Sequence, residues 1–119
     1  MKNEIKWLTE PEEHDYPAAV EYLRLTLTDE VALYLGEKLR EEKVVTFKAK
    51  DIFRASELSL LGISNSHVKK DLKKIKKGKK ISPLLLVRLN DKLIIADGYH
   101  RLCALYQLSE DVVIHCKIV

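Results

Sequence analysis

Between Ala96 and Arg101 the chain reads Asp97-Gly98-Tyr99-His100-Arg101, placing a carboxylate, an imidazole and a guanidinium around one glycine. An apolar run precedes this segment and a helical pattern follows it, so a strand meets a helix at Gly98. Glycine lets the chain bend sharply there and leaves main-chain N–H groups uncovered. Free amides at a helix N-terminus carry partial positive charge and receive anions. His100 and Arg101 fall in the first helical turn, the unfavourable end for cations, at a cost of about 0.3–1 kcal/mol each if charged and unpaired. A bound anion, a phosphate above all, removes that conflict, and Arg101 can grip it through two donors. The internal solution is a cap by Asp97 together with an Asp97–Arg101 pair four residues apart. The spacing leaves both open. On the first reading Gly98, Tyr99, His100 and Arg101 bind the anion, and Asp97 and His100 are the candidates for moving a proton.

Other chemistry-bearing residues are fewer. From Lys69 to Lys80 there are eight lysines against one acid, Asp71. They fill the positions around an apolar stripe of Val68, Leu72 and Ile75, as a solvated helix face does. The run has no interleaved aromatics for base stacking and no arginines for base-edge readout. Asp51 is a candidate general base or magnesium ligand; the alternative is that it caps its short turn or pairs with Arg54. The four histidines (14, 67, 100 and 115) and the two cysteines, Cys103 and Cys116, lack metal-ligand spacing, so no metal site is expected. Trp7, Tyr16, Tyr22 and Tyr34 read as core or interface residues.

The elements that must hold these residues follow from periodicity. Asp15 is expected to cap a helix with Pro17 in its first turn and Val20, Leu23 and Leu27 on one face. Thr28 caps a second helix, with Asp29 and Glu30 where the dipole favours acids and Val31, Tyr34, Leu35 and Leu39 as its stripe. Residues 16–42 thus form two antiparallel helices. Val44 to Phe47 reads as a short strand, Lys50 to Ala55 as a single helical turn, and Ser56 to Ser66 as a loop. Asn65 or Ser66 caps the lysine-rich helix, which ends at Gly78. Leu84 to Val87 is apolar without alternation, as in a strand covered on both faces, with Pro83 at its start. Asn90-Asp91 turns the chain into a second strand, Leu93 to Ala96, and the helix from Tyr99 to Gln107 follows. Val112 to Ile118 alternates Ile114, Cys116 and Ile118 against His115 and Lys117, which predicts a half-exposed final strand.

The order of these elements, and the residues Asp97 to Ala104, carry a resemblance. Asp97-Gly98-Tyr99-His100-Arg101-Leu102-Cys103-Ala104 is similar to the G-x-x-R-x-x-A box of ParB-type domains and to the G-C-H-R segment of sulfiredoxins. It also resembles the D-G-H-H-R box of nucleotide-dependent free-serine kinases of the same fold. The resemblance covers roughly residues 43–119. It implies an α+β fold, a small ParB/sulfiredoxin-like mixed sheet with packed helices, and residues 1–42 as an N-terminal helical extension of one domain spanning 1–119. It further implies that Gly98, His100 and Arg101 touch nucleotide phosphates, that Lys70 or Lys74 reaches a phosphate from the lysine-rich helix, and that Ser82 adds a hydroxyl. Tyr99 stands where sulfiredoxins carry their nucleophilic cysteine, and a phenol does not replace that thiolate, so sulfiredoxin activity is not expected. The box has one arginine, and no helix-turn-helix domain follows it, so chromosome partitioning is not expected either.

Composition sets the outer limits. At 119 residues, 46% apolar and 33% charged, the sequence is that of an ordinary globular domain. It has no apolar run of about 20 residues to span a membrane. The N-terminus, Met1 to Lys6, shows no apolar leader, so a cytoplasmic protein with reduced thiols is expected. The net charge of +3 conceals a split: residues 1–42 hold five bases against eleven acids, leaving the excess of bases to the remainder. That split suits a basic functional face or two halves that attract each other. Within those limits, the box and its resemblance imply a phosphate- or nucleotide-binding ParB-like domain, of the phosphoryl-transfer type using ATP, ADP or CTP with Mg2+, with a homodimer open. The alternative is a non-catalytic DNA- or protein-binding accessory module.

Overall fold

Leu84 to Val87 is buried at every residue because the strand that contains it is covered on both faces. The computed structural model describes residues 4–119, and the reading of Met1 to Asn3 as part of a leader-free terminus lies outside the described residues. In chain order the elements are β1 (Lys6–Trp7), α1 (Asp15–Leu23), α2 (Asp29–Glu41), β2 (Val45–Lys48), α3 (Ala49–Ser56) and α4 (Ser66–Lys76). These are followed by β3 (Lys80–Ile81), β4 (Leu84–Leu89), β5 (Lys92–Asp97), α5 (Tyr99–Tyr106) and β6 (Val113–Ile118). The class is α+β. The main sheet is mixed, with strand order β2-β6-β4-β5: β4 runs parallel to β6 and antiparallel to β5, and β2 is antiparallel to β6. No helix among the described residues is long and apolar enough to cross a membrane.

The period of two along β4 divides the molecule into layers. Leu84 and Leu86 join Ile95, Ile114 and Cys116 in a core with Ile52 of α3, Val68 and Ile75 of α4, and Leu102 and Leu105 of α5. Leu85 and Val87 face the other way and pack with Ala96 against Tyr16, Ala19, Leu23, Ala32 and Leu39 of α1 and α2. A single-faced sheet would have needed polar residues at alternate positions of β4, so the unbroken leucine run already requires two covering layers.

Several local expectations hold. Thr28 accepts a hydrogen bond from Val31 N–H at 3.2 Å, and Asn65 accepts from His67 and Val68 N–H at 2.9 and 3.2 Å. Gly78 follows the end of α4 at φ +76°, and Asn90 and Asp91 both take positive φ in the β4–β5 turn.

Others are corrected. Asp15 does not cap α1: it is the first helical residue, behind His14, and its carboxylate is buried. The buried stripe of α2 is Ala32, Gly36 and Leu39, while Val31 and Tyr34 face out. The reason is close approach: a Cβ at Gly36 would lie 2.6 Å from Cγ2 of Val20, so the small residues set the α1–α2 contact. The segment after β2 forms two turns, α3, rather than one. Lys117 is 1% exposed although alternation placed it outside, because α1 and α2 cover its face of β6. Its ammonium donates to the Tyr16 hydroxyl at 3.0 Å and the Arg40 carbonyl at 3.1 Å, and pairs with Glu10 at 2.8 Å. Burial works against that charge, but these partners outweigh it and raise the Lys117 pKa. The short parallel pairing of β1 with β3 had no signal in the sequence.

Candidate anion-binding site

Gly98 takes φ +108°, ψ 14° at the junction of β5 and α5, a conformation that side-chain-bearing residues rarely adopt. The position is also closed to a Cβ, which would lie 2.6 Å from Leu84 Cγ and 3.0 Å from Arg101 Nη2. The first helical hydrogen bond runs from Leu102 N–H to the Gly98 carbonyl at 2.9 Å. The amides of Tyr99, His100 and Arg101 therefore precede the helical ladder, and no side chain caps them.

The residues of this turn, Asp97 to Arg101, line a cavity of about 220 Å³ together with His67, Lys70, Asp71 and Lys74 of α4. The α4 residues recur at helical spacing (67, 70, 71, 74), one polar stripe beside the buried stripe of Val68 and Ile75. Lys70 and Lys74 line the cavity with Asp71 from α4, and Arg101 with Asp97 from the turn, so its lining holds three basic side chains against two acidic ones. The rings of His67 and His100 lie 4.9 Å apart, and those of Tyr99 and His100 5.6 Å.

Beneath the turn lies a buried polar network. Arg101 Nη2 donates to Asp97 Oδ2 at 3.0 Å and stands 3.5 Å from Asp15 Oδ2. Asp15 also accepts from the Ser82 hydroxyl, and Ser82 Oγ accepts from Glu12 N–H at 3.1 Å. The Nε of Arg101 is buried with no hydrogen-bond partner among the described residues. An unmet buried donor of this kind costs about 1–3 kcal/mol. Burial raises the Asp97 pKa, and the nearby Asp15 carboxylate adds to the effect while the Arg101 guanidinium opposes it. A carboxyl raised in this way at the edge of a polar cavity is suited to exchanging a proton.

No family model, no curated protein and no solved structure matches this chain. The site therefore stands on its own geometry.

Against the sequence reading, the fold brings Gly98, Tyr99, His100, Arg101, Lys70, Lys74 and Asp97 to one cavity. It does not bring Ser82 or Asp51. Ser82 is 3% exposed and its hydroxyl is committed to Asp15, so it has no free donor for a phosphate. Asp51 lies on α3 at 3.8 Å from Arg54 and lines a separate groove with Phe47, Ile52, Arg88 and Ile118. The Asp97–Arg101 pair expected of the internal solution is present, but Asp97 does not also cap α5, so the amides are left over. Tyr99 turns its hydroxyl to the Ser59 carbonyl and so ties the loop after α3 to the site. Leu61 N–H donates to Cys103 Sγ at 3.5 Å, a second tie. Cys103 is buried, and burial pushes its thiol pKa up. Sequence reasoning missed His67, Asp71 and Asp15. The first two were legible as a helical stripe with Lys70 and Lys74; Asp15 had no such signal, because the contact spans 67 positions to Ser82.

Proposed function

We propose that the protein binds a nucleotide by its phosphates at the Gly98 turn, in a site that serves phosphoryl transfer. The observation that carries the reading is the uncapped first turn of α5 opening into a cavity walled by Lys70, Lys74, His67 and His100. Main-chain N–H groups bind phosphate oxygens directionally, and the ammonium groups supply charge from the opposite wall. The likeness of the Asp97 to Ala104 box to ParB/sulfiredoxin-type domains supports a nucleotide over a simple oxyanion. Magnesium enters such a site on the phosphates themselves, with few protein ligands. On this reading Asp97 takes the proton of an attacking hydroxyl, whose oxygen would bond to the terminal phosphorus as the bond from that phosphorus to the departing nucleotide's oxygen breaks.

Calorimetric titration with ATP, ADP and CTP, with and without magnesium, tests the binding step. Saturable heat is expected for at least one of them, weakened about tenfold or more in Lys70→Ala/Lys74→Ala. Absence of heat with all three nucleotides would remove the proposal. For the reaction, Asp97→Asn should retain nucleotide binding and lose turnover. Equal turnover in the two proteins would take Asp97 out of that role.

A further inference from the structure

We infer that Tyr22 of α1 and Leu58 form the wall that receives the base of the bound nucleotide, so that residues outside the box set which phosphate compounds the site accepts. The inference rests on the anion-binding reading above and supplies the other half of the ligand. A second cavity, of about 430 Å³, borders the same turn, and Asp97, Gly98, Tyr99 and His100 line both cavities. The remaining lining of the second is Tyr22, Leu58, Ile95 and Ala96, with no lysine or arginine. An inorganic anion needs only the first, basic cavity. A basic recess and an apolar one meeting at four shared residues suit a ligand that is charged at one end and apolar at the other.

The character of the second cavity favours a flat ring. Tyr22 is 49% exposed and Leu58 39%, large apolar side chains left open beside a polar site. Tyrosine offers a face on which any base can stack, and such stacking tolerates different bases. Asp97 and His100, shared with the basic cavity, give it a polar rim on the side of the phosphates. A purely aliphatic ligand would leave that rim unmatched. The wall is also held in place: Tyr99 fixes Ser59 next to Leu58, and Cys103 holds Leu61. Tyr22 sits near the end of a helix whose other face, Tyr16, Ala19 and Leu23, is buried against the sheet.

The test compares ATP with tripolyphosphate, which carries similar charge and no base, on the full chain and on Tyr22→Ala and Tyr22→Phe. Tyr22 is half exposed, so equal thermal midpoints for the three proteins are expected and are checked first. ATP should bind the unmodified chain at least tenfold more tightly than tripolyphosphate. Tyr22→Ala should weaken ATP about tenfold and leave tripolyphosphate unchanged, and Tyr22→Phe should behave like the unmodified chain. Equal affinities for the two ligands, or an equal loss for both in Tyr22→Ala, would overturn the inference and leave the anion site standing. If neither ATP nor tripolyphosphate binds the unmodified chain, the anion-binding reading falls and this inference falls with it.

Discussion

Gly98 and Asp97 show how single residues hold the site. At φ +108° and with Leu84 Cγ within 2.6 Å of any Cβ, position 98 tolerates only glycine. Gly98→Ala adds backbone strain and overpacking together, and a loss of about 2–4 kcal/mol is expected in chemical denaturation. Asp97 makes a pH prediction. The folded protein holds this carboxyl above its ordinary value of 3.8, chiefly through burial, so the native state takes up the proton more readily than the unfolded chain. The linked stability is fully present below that ordinary value and is lost as pH rises through the raised one. Subtracting the stability of Asp97→Asn from that of the unmodified chain at each pH isolates the effect. The difference should fall with rising pH across this window; a rise would show that the Arg101 pair, not burial, dominates.

At the scale of elements, α4 and β6 each present two different environments on two faces. On α4 the stripe of Val68 and Ile75 is core while the stripe of His67, Lys70, Asp71 and Lys74 lines the cavity, so packing the helix aims the lysines. On β6, Ile114 and Cys116 belong to the core shared with α4 and α5, and burial pushes the Cys116 thiol up to about 12. Lys117 on the reverse face joins the sheet to α1, to the end of α2 and to Glu10. Lys117→Ala removes these bonds and opens a cavity, and should cost about 2–4 kcal/mol. Lys117→Met keeps most of the volume and should cost less. Hydrogen exchange in α1 and α2 should accelerate in the alanine variant before it does in α5, since the anchor is on the α1/α2 side of the sheet.

For the whole molecule, the two helical layers make residues 4–42 part of the fold. Without α1 and α2, Leu85, Val87 and Ala96 would face water, and Ser82 and Arg101 would lose Asp15. A chain beginning at Lys43 should therefore show no cooperative thermal transition by calorimetry. A sharp transition in that fragment would mean that the β4 face can be satisfied in another way. The charge split between the halves now has structural terms as well. The acids of the first half supply Asp15 to the Arg101 network and Glu10 to Lys117, and the exposed lysines of α4 belong to the second. Phosphate binding that depends on those lysines should weaken as salt is raised.

Local signals decided a good deal by themselves. The glycine turn, the caps at Thr28 and Asn65, the Asn90-Asp91 turn and the doubly covered β4 are properties of neighbouring residues, and their physics acts over a few positions. The box from Asp97 to Arg101 was likewise legible, because its residues are contiguous, whereas the resemblance alone singled Lys70 and Lys74 out of the lysine run. Only the tertiary structure decided that Ser82 and Asp51 are elsewhere, that Asp15 supports Arg101, that Lys117 is buried and that Tyr22 borders the turn. Each of those depends on which layer covers which face of the sheet. That choice is made by burial summed over distant segments, and no short-range pattern encodes it.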